Sequence, residues 1–144
     1  MKVLYLTTAM VDGDRAHSIQ LRKMAEAFSR IADVAVIGRK MTIKNLAFKR
    51  LQFIIIASLC VIKFYFCILF GRSFDAVYCR DKFSLFSAVI AGRFPVFYEA
   101  HNTNIPLWLL NNTAGVVAIS SYIAEQFIRR GIKNIIIARS GVSL

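Results

Sequence analysis

An apolar run, Phe97-Tyr98, stops abruptly in Glu99-Ala100-His101-Asn102, which gathers a carboxylate, an imidazole and an amide within four residues. Open parallel sheets carry their chemistry just past the carboxyl ends of their strands, and this is such an end. His101 is the sharpest candidate for chemistry, because imidazole is the side chain whose ordinary titration lies near neutrality; the competing reading is a hydrogen-bonded structural histidine. Glu99 either orients that imidazole, contacts substrate hydroxyls, or holds the backbone of neighbouring loops. Asn102 belongs to the same polar group.

Two other strand ends offer polar groups. Tyr78-Cys79-Arg80-Asp81 closes an earlier apolar run, with Asp81 read as a helix cap. Arg80 projects toward the same rim, either to bind a phosphate or hydroxyl or to remain solvated. The loop from Ala9 to Ser18 carries Asp12, Gly13, Asp14, Arg15 and His17 and leads into a helix N-terminus, a natural position for an anion or hydroxyl. It reads as a substrate-facing loop with Arg15 and His17 as its testable residues, or as a solvated turn. No G-x-G-x-x-G, G-x-S-x-G or Walker motif is present. Two distant histidines and three cysteines in apolar surroundings make no zinc ligand set, so no metal site is expected.

The elements that must position these groups alternate short β-rich runs with helical patterns. That order predicts an α/β domain with a Rossmann-like, doubly wound parallel sheet of about six strands. The predicted strands are Lys2–Thr8, Asp33–Gly38, Asp75–Cys79, Pro95–Glu99, Gly115–Ile119 and Asn134–Ala138. Ser18 is predicted to cap a first helix with Ile19, Met24, Ala27, Phe28 and Ile31 as its apolar stripe. Asp81 caps another helix ending near Gly92. Ser120 or Ser121 caps one that ends at Arg129-Arg130, with Gly131 beyond.

With 144 residues the chain is one domain by length, with enough material for a core. Its 57% hydrophobic content and mean hydropathy of +0.55 suit a sheet covered on both faces, or membrane contact. Nineteen Lys and Arg against eight Asp and Glu give a net charge of +11, which attracts nucleic acid, anionic lipid or phosphorylated substrates. Nucleic-acid binding rests on charge alone, without a recognition motif, and is not expected. The densest basic block is Arg39, Lys40, Lys44, Lys49 and Arg50, and no acid stands between Asp33 and Asp75. The segment from Leu51 to Phe70 contains one charge, Lys63. It reads as a crossover helix against the sheet or as a helix lying in a membrane surface; a true span would divide one sheet across a bilayer. Cys60, Cys67 and Cys79 suit buried, reduced thiols, and the first ten residues suit a strand better than a cleaved signal. The expected location is cytoplasmic, either free or peripheral on the inner face of the plasma membrane, according to which of the two readings of Leu51 to Phe70 holds.

The order of Met1-Lys-Val-Leu-Tyr5, the helix Ser18 to Phe28, Phe74-Asp-Ala-Val-Tyr-Cys-Arg80, Val96-Phe-Tyr-Glu-Ala-His-Asn102, Val117-Ala-Ile-Ser-Ser-Tyr122 and Ser140-Gly-Val142 resembles the N-terminal domain of family 4 glycosyltransferases of the GT-B fold. The resemblance covers nearly the whole chain. It implies the acceptor-side half of an enzyme whose second Rossmann-like domain binds a nucleotide-sugar donor across a cleft. That donor-binding domain, as a C-terminal domain or a separate subunit, is the expected partner, and no resident cofactor is implied. The acceptor would be a sugar or a lipid-linked molecule of envelope polysaccharide or glycolipid synthesis.

By the same resemblance His101 matches the histidine that reaches the transferred sugar. Ser120 lies in the strand-to-helix turn near the cleft, and Gly141-Val142 begins the interdomain hinge. Arg80 and Arg15 would shape the acceptor site. The stretch between Asn102 and Gly115 is shorter than the family's, and the first loop lacks the paired glycines of many members. The implied reaction is retaining sugar transfer to a hydroxyl without an essential metal, and the chain alone is expected to be inactive. The alternative is a non-catalytic, membrane-associated binding module that kept the fold.

Overall fold

The apolar runs form a single parallel sheet. A computed structural model describes residues 1–10, 16–39, 49–71 and 73–138. In chain order the elements are β1 (Lys2–Met10), α1 (Ala16–Ser29), β2 (Asp33–Arg39), α2 (Lys49–Leu69), β3 (Ala76–Cys79), α3 (Lys82–Ala91), β4 (Val96–Ala100), α4 (Leu107–Asn111), β5 (Gly115–Ala118), α5 (Ser121–Arg129) and β6 (Ile135–Ile137). The strands lie in the order β2-β1-β3-β4-β5-β6, all parallel. The chain is thus one α/β domain with a six-stranded, Rossmann-like sheet, as expected, and the predicted strands match the observed ones to within two residues at each end.

The winding changes direction once, and this locates the site. The chain leaves β1 through α1 to reach β2 on one side, then returns through α2 to place β3 on the other side of β1. A right-handed crossover running one way lands on one face of the sheet, and one running the other way lands on the opposite face. Accordingly α1 packs Leu21, Met24 and Phe28 against Val3, Tyr5 and Tyr78 on one face. On the other, α2, α3, α4 and α5 cover Leu4, Leu6, Val77, Cys79, Tyr98, Val116 and Ala118. The carboxyl ends of β1 and β3 therefore flank the switch point, where such sheets form a crevice.

Local chemistry sets the helix ends. Asp81 caps α3 by accepting from the Phe83 and Ser84 backbone N–H groups, and α3 stops at Gly92 in the left-handed conformation (φ 59°). Ser120 caps α5 through Ile123 N–H. The expected Ser18 cap is corrected: α1 already runs from Ala16, so Ser18 is a buried residue inside its first turn. The apolar stripe shifts as well. Leu21, Met24 and Phe28 face the sheet at helical spacing, whereas Ile19 is partly exposed and Ile31 lies exposed beyond the helix.

The long apolar segment is a crossover helix. α2 lays Ala57, Cys60, Phe64 and Ile68 onto the sheet, and no described helix is long and apolar enough to cross a membrane. Cys60 and Cys79 are buried, Cys67 is partly buried, and all three are free thiols. Burial, followed by the charge of Asp81, pushes the Cys79 thiol well above its ordinary pKa.

Candidate functional site

Alternation along three strands assembles the site. Tyr5 on β1 lies level with Tyr78 on β3, and Tyr78 with Phe97 on β4. Residues two apart on a strand share a face, so Arg80 follows Tyr78 and Glu99 follows Phe97 toward the carboxyl end of the α1 side. Glu99 is 2% exposed, Arg80 4% and Tyr5 0%. A carboxylate so deeply buried is found only where partners hold its charge.

Glu99 has three such partners. Its Oε1 lies 2.8 Å from His101 Nε2, a contact that meets the distance of a hydrogen bond with the ring N–H off line. The same oxygen is 3.9 Å from Arg80 Nε, at the outer limit of an ion pair. Its Oε2 accepts from the Tyr5 hydroxyl at 3.3 Å. Burial alone would raise the carboxyl pKa; the contact with His101, then the field of Arg80, outweigh it and hold the group below its usual range. Glu99 is therefore an anion at neutral pH. Burial, then the charge of Glu99, pushes the Tyr5 hydroxyl well above its ordinary range, so Tyr5 acts as a neutral donor.

Arg80 is held from α1, where Gln20 Oε1 accepts from Nη2 at 2.7 Å. Its Nε and Nη1 are buried with no hydrogen-bond partner among the described residues. Native proteins rarely leave such donors unsatisfied, and exceptions concentrate where a ligand or water completes the set. The neighbouring Asp81 does more than cap α3. Its Oδ2 accepts from Thr8 N–H at 2.7 Å, Thr7 Oγ1 at 3.2 Å and Ser84 Oγ at 2.9 Å, tying the end of β1 to the start of α3.

The remaining expected residues fall in different places. His101 is partly exposed, just beyond β4, so one edge of its ring is within reach of solvent. Asn102 lies exposed beside it, its Oδ1 accepting from Asn104 N–H in a local turn. Ser120 lies at the turn from β5 into α5, its hydroxyl oxygen accepting from Ile123 N–H as the α5 cap. His17 belongs to the first turn of α1, its side chain outside what the structure describes. Arg15 and the segment Ser140-Gly141-Val142 lie outside the described residues.

Tyr5, Gln20 and Arg130 are structural partners that motif reading passes over. Arg130 donates to the Thr103 and Ile105 carbonyls at 2.7 and 3.0 Å, pinning the loop after His101. A basic residue near a helix end signals only the helix dipole; its cross-loop role becomes visible in three dimensions. Among the described residues no three His, Cys, Asp or Glu side chains gather as a metal-binding group.

Comparison with protein-family models gives no match for this sequence, and comparison with curated proteins gives none. Among solved structures the chain is similar to "lipopolysaccharide outer core galactosyltransferase WaaB apo form", with a TM-score of 0.56 and 19% sequence identity. The match covers 95% of this chain and 45% of that one. The chain thus has the fold of one Rossmann-like half of a GT-B glycosyltransferase and spans less than half the length of this structural neighbour.

Proposed function

We propose that this chain is the acceptor-side half of a glycosyltransferase, acting with a donor-binding domain on the same or another chain to move a sugar from a nucleotide sugar to a hydroxyl. The observation that carries the reading is the contact between the buried, ionised Glu99 and the partly exposed His101 at the carboxyl edge of the sheet. A carboxylate behind an imidazole fixes the ring's orientation and its tautomer. With Nε2 turned to Glu99, Nδ1 is the ring's remaining polar atom for a sugar hydroxyl or a developing positive charge. A Glu99–His101 pair also stabilises positive charge near the transferred sugar, whose transition state has oxocarbenium character.

In this reading Glu99, Arg80 and Tyr5 are positioning residues, and His101 is the group that meets substrate. Arg15, His17, Asn102 and Ser120 belong to the proposed acceptor wall. The acceptor is a sugar or lipid-linked molecule of envelope polysaccharide or glycolipid synthesis, and family 4 is the assignment the sequence motifs support. Half a cleft supplies half the catalytic groups, so turnover depends on the donor domain.

The test is sugar-nucleotide turnover by the chain joined to or co-expressed with a donor-binding domain. His101→Ala is expected to lower kcat at least about 100-fold, as removal of a positioned electrostatic group does. Glu99→Gln should lower it less. Turnover indifferent to His101→Ala would overturn the assignment and leave a binding module with a glycosyltransferase fold.

A further inference from the structure

α2 has two apolar faces, and the sheet uses only one. Ala57, Cys60, Phe64 and Ile68 are buried; on the opposite side Ile55, Leu59, Ile62 and Phe66 are each 50% exposed or more. Both sets repeat at helical spacing, so the outer set is a continuous stripe. Phe70, 4.1 Å from Phe66 between ring centroids, extends it.

The stripe continues onto the next two helices. α3 is joined to α2 by a hydrogen bond from the Tyr65 hydroxyl to the Ser87 carbonyl, and it turns Phe83, Phe86 and Ile90 outward. Phe86 meets Trp108 of α4 edge to face, with centroids 6.1 Å apart. Three adjacent helices on one face of the sheet thus present aliphatic and aromatic side chains to the outside. Isolated exposed apolar residues are ordinary; a contiguous three-helix surface marks a place where something docks.

Charge selects the occupant. α2, α3 and α4 contain no Asp or Glu; they carry Lys49, Arg50, Lys63 and Lys82, with Arg93 just past α3, and the one acid at their ends, Asp81, is the part-buried cap of α3, engaged by Thr8, Phe83 and Ser84. A second copy docking by this face across a two-fold axis would bring cation against cation. An anionic lipid surface would take the hydrocarbon side chains into its head-group boundary and attract the lysines and arginines around them.

We infer that the outer face of α2, α3 and α4 is a monotopic docking surface for an anionic bilayer, with Phe66, Phe70, Phe86 and Trp108 entering the interface and Lys63 and Lys82 on the head groups. This inference stands independently of the glycosyl-transfer reading. Trp108 is the chain's single tryptophan, so its fluorescence reports directly on the surface.

The experiment mixes the full chain with phosphatidylglycerol vesicles and, separately, phosphatidylcholine vesicles, following co-sedimentation and Trp108 emission. Binding to phosphatidylglycerol with a blue shift is expected, weakened by salt and by lower lipid charge. Phe66→Ser with Phe86→Ser should weaken affinity at least about tenfold, with circular dichroism confirming the fold. Quenching of wild-type Trp108 by brominated acyl chains tests depth without a variant. Absence of vesicle binding, binding that leaves Trp108 emission and quenching unchanged, or a lipid-independent dimer that shields Trp108 would each overturn the inference.

Discussion

The strand-end cluster and the outer face of α2, α3 and α4 break opposite rules of a soluble fold. Around Glu99 the chain buries charge, with two Arg80 donors unsatisfied among the described residues. Across the three helices it exposes hydrocarbon at Leu59, Ile62, Phe66, Phe86 and Trp108. Each departure opposes folding, since buried ions lose hydration and exposed apolar groups forgo the gain of leaving water. Departures without local compensation concentrate at functional positions. Their locations differ informatively: the charged group sits at the switch point, where a small ligand meets strand ends, and the apolar group lies on broad helical surface suited to an extended partner. The same sheet separates chemistry from docking.

The largest expected effect comes from breaking the buried cluster. Glu99→Ala strands Arg80 as an uncompensated buried cation and should destabilise the fold by about 3–5 kcal/mol. Arg80→Met in that background should recover a substantial part, because it removes the charge while keeping an apolar stem. Urea denaturation of the four proteins in this cycle measures the coupling. Additive losses would show that the 3.9 Å approach of Arg80 to Glu99 contributes no pairing energy and that His101 and Tyr5 alone hold the carboxylate.

These two regions were unequally legible in the sequence. The strands stand out because apolar runs bounded by turn residues need no tertiary knowledge; the Asp81 cap follows from side-chain chemistry at a helix start, and the same chemistry narrows the α5 cap to Ser120 or Ser121, between which the structure chooses Ser120. The Ser18 cap failed because a good capping residue carries no information about whether the helix has already begun. The five-residue α4, opened by Pro106, is too short to show a helical period. Glu99 and His101 are neighbours in sequence, so their contact could be anticipated. Tyr5 and Gln20 reach the cluster across 94 and 60 residues, through a strand order that local pattern does not encode. Likewise the apolar content of α2 was plain, but a helix apolar on both sides does not reveal which side meets the sheet.

Phe64 and Phe66 sharpen the contrast within α2 itself. Phe64 is 0% exposed and Phe66 57%, two residues apart on one helix. Phe64→Ala should cost about 3–4 kcal/mol through lost burial and a residual cavity. Phe66→Ala should change stability by no more than about 0.5 kcal/mol, as exposed substitutions do. Thermal or chemical denaturation separates the two outcomes. Equal, large losses would mean that the outer stripe is packed in the isolated chain and is no free surface.

The smallest expected effect is a difference in acid sensitivity, which again belongs to one region only. Because the pKa of Glu99 is held down in the fold, folding favours its ionised form; the resulting stability is complete above the ordinary glutamate value of about 4.3 and is lost as pH falls through the lower folded value. Glu99→Gln removes this linkage, so its stability should fall less steeply between about pH 5 and pH 3 than that of the parent chain, whatever its stability at neutral pH. Phe66→Ala should keep the parent slope. Urea midpoints measured across that range decide it: an unchanged slope in Glu99→Gln would mean that burial cancels the pull of His101 and Arg80, and that the carboxylate is not held as an anion at the strand end.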